Sequence, residues 1–295
     1  MTNRNVLLHY HIFKNSGTTF ERVLNDNYGE QHISFDGPFP FSQINQDQLS
    51  MIIERHPAAV ACSSHQIHLP APSSMAFRAI PVVFIRNPML RIRSVYLFDQ
   101  RQNKSLSKRA HDNPLEGLEE WVVLALGGNH NLNRHQISNF QTSFVSRCYN
   151  LPPKLHRIEG RVNYDLQTAI NNLSLVPCLG RTEHFDTDVA SFADTLARFN
   201  IPFSYQPKRA ENISSPDHGQ PISEQLDAMQ AHLTAATWDK LRWMNHQDLA
   251  LYDIVHDMLE KRLANGFTIP VSYTHLRAHE TKANLVCRLL LEKKK

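Results

Sequence analysis

Three groups of side chains in this chain are of types that handle anions and protons. Lys14-Asn15-Ser16-Gly17-Thr18-Thr19 puts one ammonium, three hydroxyls and a glycine into six consecutive residues. Arg86-Asn87-Pro88 is followed by Arg91, Arg93, Ser94 and Tyr96. His65 and His68 lie in Ser63-Ser64-His65-Gln66-Ile67-His68. A lysine beside hydroxyls and free backbone N–H groups cradles a phosphate or sulfate. An arginine forks onto such a group with two parallel bonds. A histidine, with an ordinary pKa of about 6.5, is the side chain best matched to taking a proton from a hydroxyl at neutral pH. Together these residue types suit transfer of an anionic group to a hydroxyl.

The elements that must position them follow from the hydrophobic pattern. Val6 to Phe13 is a short apolar and aromatic run of the kind that fills a buried parallel strand. It breaks at Lys14-Asn15-Ser16-Gly17, and residues 17 to 27 read as a helix with Phe20, Val23 and Leu24 on one face. The helix N-terminus adds its unbonded N–H groups and the positive end of its dipole. Ala58 to Ser63 and Ile80 to Ile85 read as further strands, with His65 and Arg86 just beyond their ends. A helix runs from Asn87-Pro88 to about Gln102, and a fourth strand from Leu175 to Gly180 precedes Arg181-Thr182-Glu183. This alternation predicts an α/β fold, a parallel sheet flanked by helices with a helical C-terminal part. Open parallel sheets bind ligands at the C-terminal ends of their strands, which is where Lys14, His65, Arg86 and Arg181 fall.

The remaining pattern is helical at Gln46 to Arg55, Leu115 to Leu126, Arg134 to Ser146 and Asp186 to Phe199. A helical tract follows from Ser223 to about Leu263, with Trp238, Leu241, Trp243 and Met244 directed inward. Residues 28 to 44, 103 to 113 and 201 to 221 read as loops. Arg91 and Arg93 fit a solvated helix face, and Arg181 and Glu183 are spaced to pair with each other. His9 and His11 share one face of the first strand, where packing and metal ligation are both open to them; no carboxylate motif for magnesium stands out, and no metal is expected.

Composition bounds the rest. The chain has 295 residues, 20% charged and 41% hydrophobic, as an ordinary globular protein has. A net charge of +3 argues for no nucleic-acid partner. No apolar run reaches membrane length, and the first strand begins too early for a signal peptide. Cys62, Cys148, Cys178 and Cys287 show no paired spacing, so reduced thiols and a cytoplasmic location are expected. Oligomeric state is not readable from the sequence.

The first stretch differs from the nucleotide loop Gly-x-x-x-x-Gly-Lys-Ser/Thr, because Lys14 comes early and one glycine follows. It resembles instead the His-x-x-Lys-Thr-Gly-Gly-Thr loop of sulfotransferases that use 3′-phosphoadenosine 5′-phosphosulfate (PAPS), in the family of the carbohydrate 2-O-sulfotransferases and their bacterial relatives. His11, Lys14, Gly17 and Thr18 match; Phe13 stands for proline, Asn15 for threonine and Ser16 for glycine. Arg86-Asn87-Pro88 through Tyr96 is similar to that family's 3′-phosphate site, Arg-Asp/Asn-Pro-x-x-Arg-x-x-Ser-x-Tyr. Weaker likenesses lie at Ser64-His65, Asn139-Phe140-Gln141-Thr142, Gly180 to Asp186, Asn212-Ile213-Ser214 and Asn245 to Tyr252.

The resemblance implies one P-loop-like sulfotransferase domain over residues 1–270. PAPS as donor would be held by Lys14, Asn15, Ser16, Gly17, Thr18 and Thr19 and by Arg86 and Ser94. The acceptor would be a hydroxyl, on a carbohydrate or another molecule. Lys14 would face the charge on the leaving oxygen and His65 would be the base, with His68, Asp36 and Glu183 as rivals for that role. A kinase acting on a sugar or nucleoside, or a nucleotide-binding protein without turnover, are the alternatives. The stretch from Val271 to Lys295 is expected to be a non-native tail, dispensable for folding, because from Ser272 on it resembles translated sequencing adapter.

Overall fold

The computed structural model describes residues 4–37, 43–104, 114–127, 136–146, 157–158, 161–162, 166–207 and 219–265. Its centre is a sheet of five parallel strands. They are β1 (Arg4–Tyr10), β2 (His32–Ser34), β3 (Ala61–Ser64), β4 (Phe77–Ile85) and β7 (Cys178–Arg181), in the order β2-β3-β1-β4-β7. A separate antiparallel pair, β5 (Arg157–Ile158) and β6 (Arg161–Val162), stands outside it. β1 is buried along Val6 to Tyr10 because sheet neighbours and helices cover both its faces. β2 was not expected: three residues on a sheet edge, half-exposed, carry too little periodicity to stand out from the surrounding glycine and proline.

Alternation along the strands divides the core in two. Val6, Leu8, Tyr10, Val83 and Ile85 face α2 (Gln46–Arg55), α5 (Phe140–Ser146), α6 (Leu166–Ser174) and α10 (His246–Asn265). Leu7, Ile80, Val82 and Phe84 face α1 (Gly17–Tyr28) and α7 (Phe185–Ala197). A third cluster joins α3 (Pro88–Lys104) to α4 (Leu118–Gly127), α8 (Ile222–Gln230) and α9 (Ala235–Met244).

That third cluster corrects several expectations. Arg91 and Arg93 are buried rather than solvated, because the C-terminal helices cover α3. The Arg91 guanidinium lies 4.6 Å from the Phe140 ring centroid and donates to the Gln136 carbonyl, while Arg93 donates to Gln225. The tract from Ser223 is three helices, broken where Thr234 caps α9 and Asn245 ends it. Trp243, expected inside, is 70% exposed, since the break turns its face outward. The helix expected from Arg134 is interrupted at Asn139, whose φ of 44° is left-handed. Residues 105–113, Lys208, Arg209, Asn212 and the tail from Val271 lie outside the described residues.

Crossing directions place the ligand crevice. From β1 the chain runs to the β2 edge, whereas from β4 it runs to the β7 edge. The connections diverge at the C-terminal ends of β1 and β4, the switch point at which open sheets bind ligands. Beside it β7 passes close to β4: a Cβ on Gly180 would stand 2.7 Å from Phe84 Cε1 and 3.3 Å from Phe192 Cζ. Both rings are buried in a close-packed layer. Gly180→Ala is expected to destabilise the fold by about 1–3 kcal/mol through overpacking, read as a lower midpoint in urea with an unchanged slope.

Candidate functional site

The loop between β1 and α1 carries two left-handed residues, Lys14 at φ 66° and Ser16 at φ 59°. For residues with a Cβ this costs about 1–2 kcal/mol each, and it persists only where the surroundings hold it. Asn15, between them, is the anchor. It is 1% exposed; its Nδ2 donates to the Phe84 carbonyl at 2.8 Å and to Gln141 Oε1 at 2.7 Å, and its N–H donates to the Ile12 carbonyl. The side chain of Asn15 is thus turned into the fold, away from the loop's open side. Ser16 takes the N-cap position of α1 without a side-chain cap bond. The first N–H groups of α1 therefore remain available to an anion. Thr18 and Thr19 are exposed in that first turn. Gly17 admits no side chain, because a Cβ would lie 1.8 Å from His11 Cδ2.

Gln141 ties this loop to the end of β4. Its Oε1 accepts from Asn15 Nδ2 and from the Arg86 N–H at 2.8 Å, and its Nε2 donates to the Arg86 carbonyl at 2.8 Å. The Gln141 and Thr142 N–H groups donate to the Asp248 carboxylate at 3.0 and 2.7 Å. Asn139 Oδ1 in turn accepts from the N–H groups of Gln247 and Asp248, so α5 and α10 cap each other. The Asn139-Phe140-Gln141-Thr142 stretch marked this node, but its architectural role was not readable from residue types.

Cations gather around the loop. Lys14 Nζ lies 4.8 Å from the Phe98 ring centroid and 5.9 Å from that of Phe13, and it pairs with no carboxylate among the described residues. Burial, then the Arg101 and Arg86 charges, lower its pKa to about 8. Arg86 Nη1 donates to the Lys14 carbonyl at 3.0 Å, and its Nε stands 3.6 Å from Glu183 Oε1. Glu183 also accepts from the Asn87 N–H and from Tyr252 Oη. Burial raises the Glu183 carboxyl above its ordinary range and lowers Arg86. Glu183 is therefore committed to Arg86. The expected Arg181–Glu183 pair does not form, because Arg181 is fully buried against Asp188 at 2.8 Å and Glu260 at 2.7 Å. Ser94, two turns into α3, is 3% exposed, and among the described residues its Oγ has no hydrogen-bond partner and Arg86 Nε makes no hydrogen bond beyond its ion pair with Glu183.

His65 and His68 separate cleanly. His68 is buried, with Nδ1 3.3 Å from the Phe144 carbonyl and its ring 4.2 Å from that of Phe144. His65 is exposed, and its Nδ1 donates to the His11 carbonyl at 2.8 Å. A carbonyl only accepts, so Nδ1 carries the proton and Nε2 keeps its lone pair. The ring stacks on His11 at 3.7 Å. Burial, then the neighbouring His11, hold its pKa below the usual value. Asp36 accepts from Ser64 Oγ and the His65 N–H at 2.8 and 2.9 Å, which fixes this segment. Pairing of Tyr10 with Ser64 and with Val83 brings the segments carrying Lys14, His65 and Arg86 to one sheet edge.

No family model matches the chain. An uncharacterised protein of the archaeon Archaeoglobus fulgidus is 27% identical over 267 residues, which span 88% of this chain and 99% of that protein. The likeness carries no activity with it.

The electrostatics of the loop predict a pH dependence. Lys14 is charged below its lowered pKa of about 8 and neutral above it. Sulfate, which does not titrate in this range, is expected to bind the wild type progressively more weakly as pH rises through 8. In Lys14→Arg the affinity should stay level to pH 9, because arginine keeps its charge. Calorimetric titration at several pH values checks both.

Proposed function

We propose that the chain is a sulfotransferase that moves a sulfuryl group from PAPS to an acceptor hydroxyl, with a carbohydrate as the favoured acceptor class. The observation that carries this reading is a set of donors without acceptors. Among the described residues Lys14 has no carboxylate partner and the buried Ser94 Oγ has no hydrogen-bond partner, and the first turn of α1 presents free N–H groups. Buried polar atoms without partners are uncommon, and a bound anion would satisfy them. The likeness of Arg86 through Tyr96 to a 3′-phosphate site supports the same reading, since that phosphate distinguishes PAPS from ATP.

PAPS supplies the sulfuryl group on an anhydride whose departing oxygen gains negative charge. Lys14, lodged among Arg86 and Arg101 in a loop held by Asn15, is suited to that charge without reorganising. Arg86 and Ser94 would hold the 3′-phosphate. His65 presents Nε2 with its lone pair free and its ring fixed by the His11 carbonyl, so it can take the acceptor's proton. Its rivals are otherwise engaged: His68 is buried, Asp36 holds the His65 segment, and Glu183 pairs with Arg86. Catalysis on this reading is positioning and electrostatics. Among the described residues no helix is long and apolar enough to cross a membrane; a cytoplasmic setting is part of the proposal.

Two substitutions test the donor site. Arg86→Ala should weaken binding of 3′-phosphoadenosine 5′-phosphate relative to the ligand lacking the 3′-phosphate, by about 1.5–3 kcal/mol. It also removes the bond to Lys14, so only the ratio of the two affinities is diagnostic. Ser94→Ala removes no side-chain hydrogen bond among the described residues; it should leave the melting temperature unchanged yet narrow the same ratio. Equal losses for both ligands, or tighter binding of ATP than of 3′-phosphoadenosine 5′-phosphate, would sink the assignment.

For the base, His65→Ala is expected to lower turnover by about 10²–10⁴ with an acceptor panel. Donor-product affinity should stay near the wild-type value. If His65→Ala keeps its turnover and His68→Ala does not, the role belongs to His68.

A further inference from the structure

His9 near the end of β1 and His11 just beyond it are two histidine side chains that the transfer reaction leaves unused. His9 and His11 project from the same face of the strand toward α1, where Glu21 stands one turn beyond the anion loop. A ring nitrogen of each histidine and a carboxylate oxygen of Glu21 all lie within 4.8 Å of one another. His11 Nδ1 and Glu21 Oε1 are 3.2 Å apart. Zinc bound tetrahedrally at about 2.0–2.1 Å holds its ligand atoms about 3.3 Å apart. One pair already meets that spacing, and the third ligand needs a shift of at most about 1.5 Å.

The surroundings are those of a held ligand set. Ser34 Oγ donates to Glu21 Oε1 at 3.2 Å. Ser63 Oγ bonds both His9 Nδ1 at 3.1 Å and His32 Nε2 at 2.9 Å. The His9 and His11 rings stack at 5.2 Å, and His65 covers His11. His9 is 1% exposed and His11 6%. Partners of this kind orient ligating imidazoles and carboxylates and raise their affinity for an ion. Two imidazoles and one carboxylate with a fourth position open are a ligand set that tetrahedral zinc takes.

We infer that His9, His11 and Glu21 form a zinc site beneath the anion loop, with two imidazoles and one carboxylate as protein ligands and the fourth position open. The ion would fasten the end of β1 to α1, adding to the His11–Glu21 contact and the packing of His9 on Phe20. This inference goes beyond the sulfuryl-transfer reading and does not depend on it, because it rests on the strand face alone.

The full chain, stripped with a chelator, is titrated with zinc chloride by calorimetry and with cobalt chloride by visible absorption. One equivalent should bind, and cobalt should show the intense absorption of a tetrahedral site. Zinc at 100 times its dissociation constant should raise the melting temperature by about 5 °C. Glu21 is half-buried on a helix, so Glu21→Gln should fold, verified by the melting temperature of the metal-free protein. It should lower zinc affinity by at least about 10-fold and abolish the cobalt band. His56→Ala, at an exposed histidine remote from the cluster, should change neither. Absence of a one-equivalent site, undiminished binding in Glu21→Gln, or loss in His56→Ala would each overturn the assignment.

Discussion

The side-chain amide of Gln141 is the constraint on which the candidate site depends. It is fully buried and bonds both backbone groups of Arg86 and the side chain of Asn15. An amide offers one acceptor oxygen and two donor hydrogens, and here both ends are used at one point between two strand ends. Without it the Arg86 N–H and C=O, beyond the last sheet pairing and half-buried, would lose the bonds that hold them. The clamp also reaches outward. Asp248 on α10 bonds the Gln141 and Thr142 N–H groups, so a helix distant in sequence sets the position of the loop that follows the first strand.

Strain and clamp belong together. Lys14 and Ser16 hold left-handed backbone that a side chain disfavours, and the buried Asn15 between them keeps it so. The result points Lys14 into a space lined by Phe13 and Phe98 rather than toward a carboxylate. Its charge is then destabilised by burial and by two arginines, which is the condition under which an anion gains most from binding. At Ser16 glycine would adopt this conformation without penalty. Serine at this position keeps the same backbone at the expense of stability.

Two kinds of histidine meet at the same sheet edge. His65 is exposed, with one nitrogen bonded and the other free. His9 and His11 lie beneath it, buried and bonded to Ser63 and Glu21. Burial and the neighbouring imidazoles hold His9 well below its ordinary pKa, so it remains neutral inside the fold. The stack passes from solvent to core within one strand end. His65 is thereby left with a ring nitrogen at the surface, and His9 is kept neutral in the core.

The sequence alone determined the parallel α/β arrangement, the strand ends that carry Lys14, His65 and Arg86, and the helix that follows Lys14. Those features are local: an apolar run, a polar turn and a helical stripe are each readable within about fifteen residues. What only the tertiary structure decided involves partners far along the chain. Arg91 and Arg93 are buried because α8, α9 and the residues around Phe140 cover α3. Glu183 answers Arg86 rather than Arg181, because β4 and β7 are neighbours in the sheet and Asp188 and Glu260 reach Arg181 first. His65 and His68 were equivalent by residue type, and only the placement of α5, which puts Phe144 against His68, separates them. Local pattern reports which face of an element is apolar, but a polar side chain's partner is set by which elements the fold brings together.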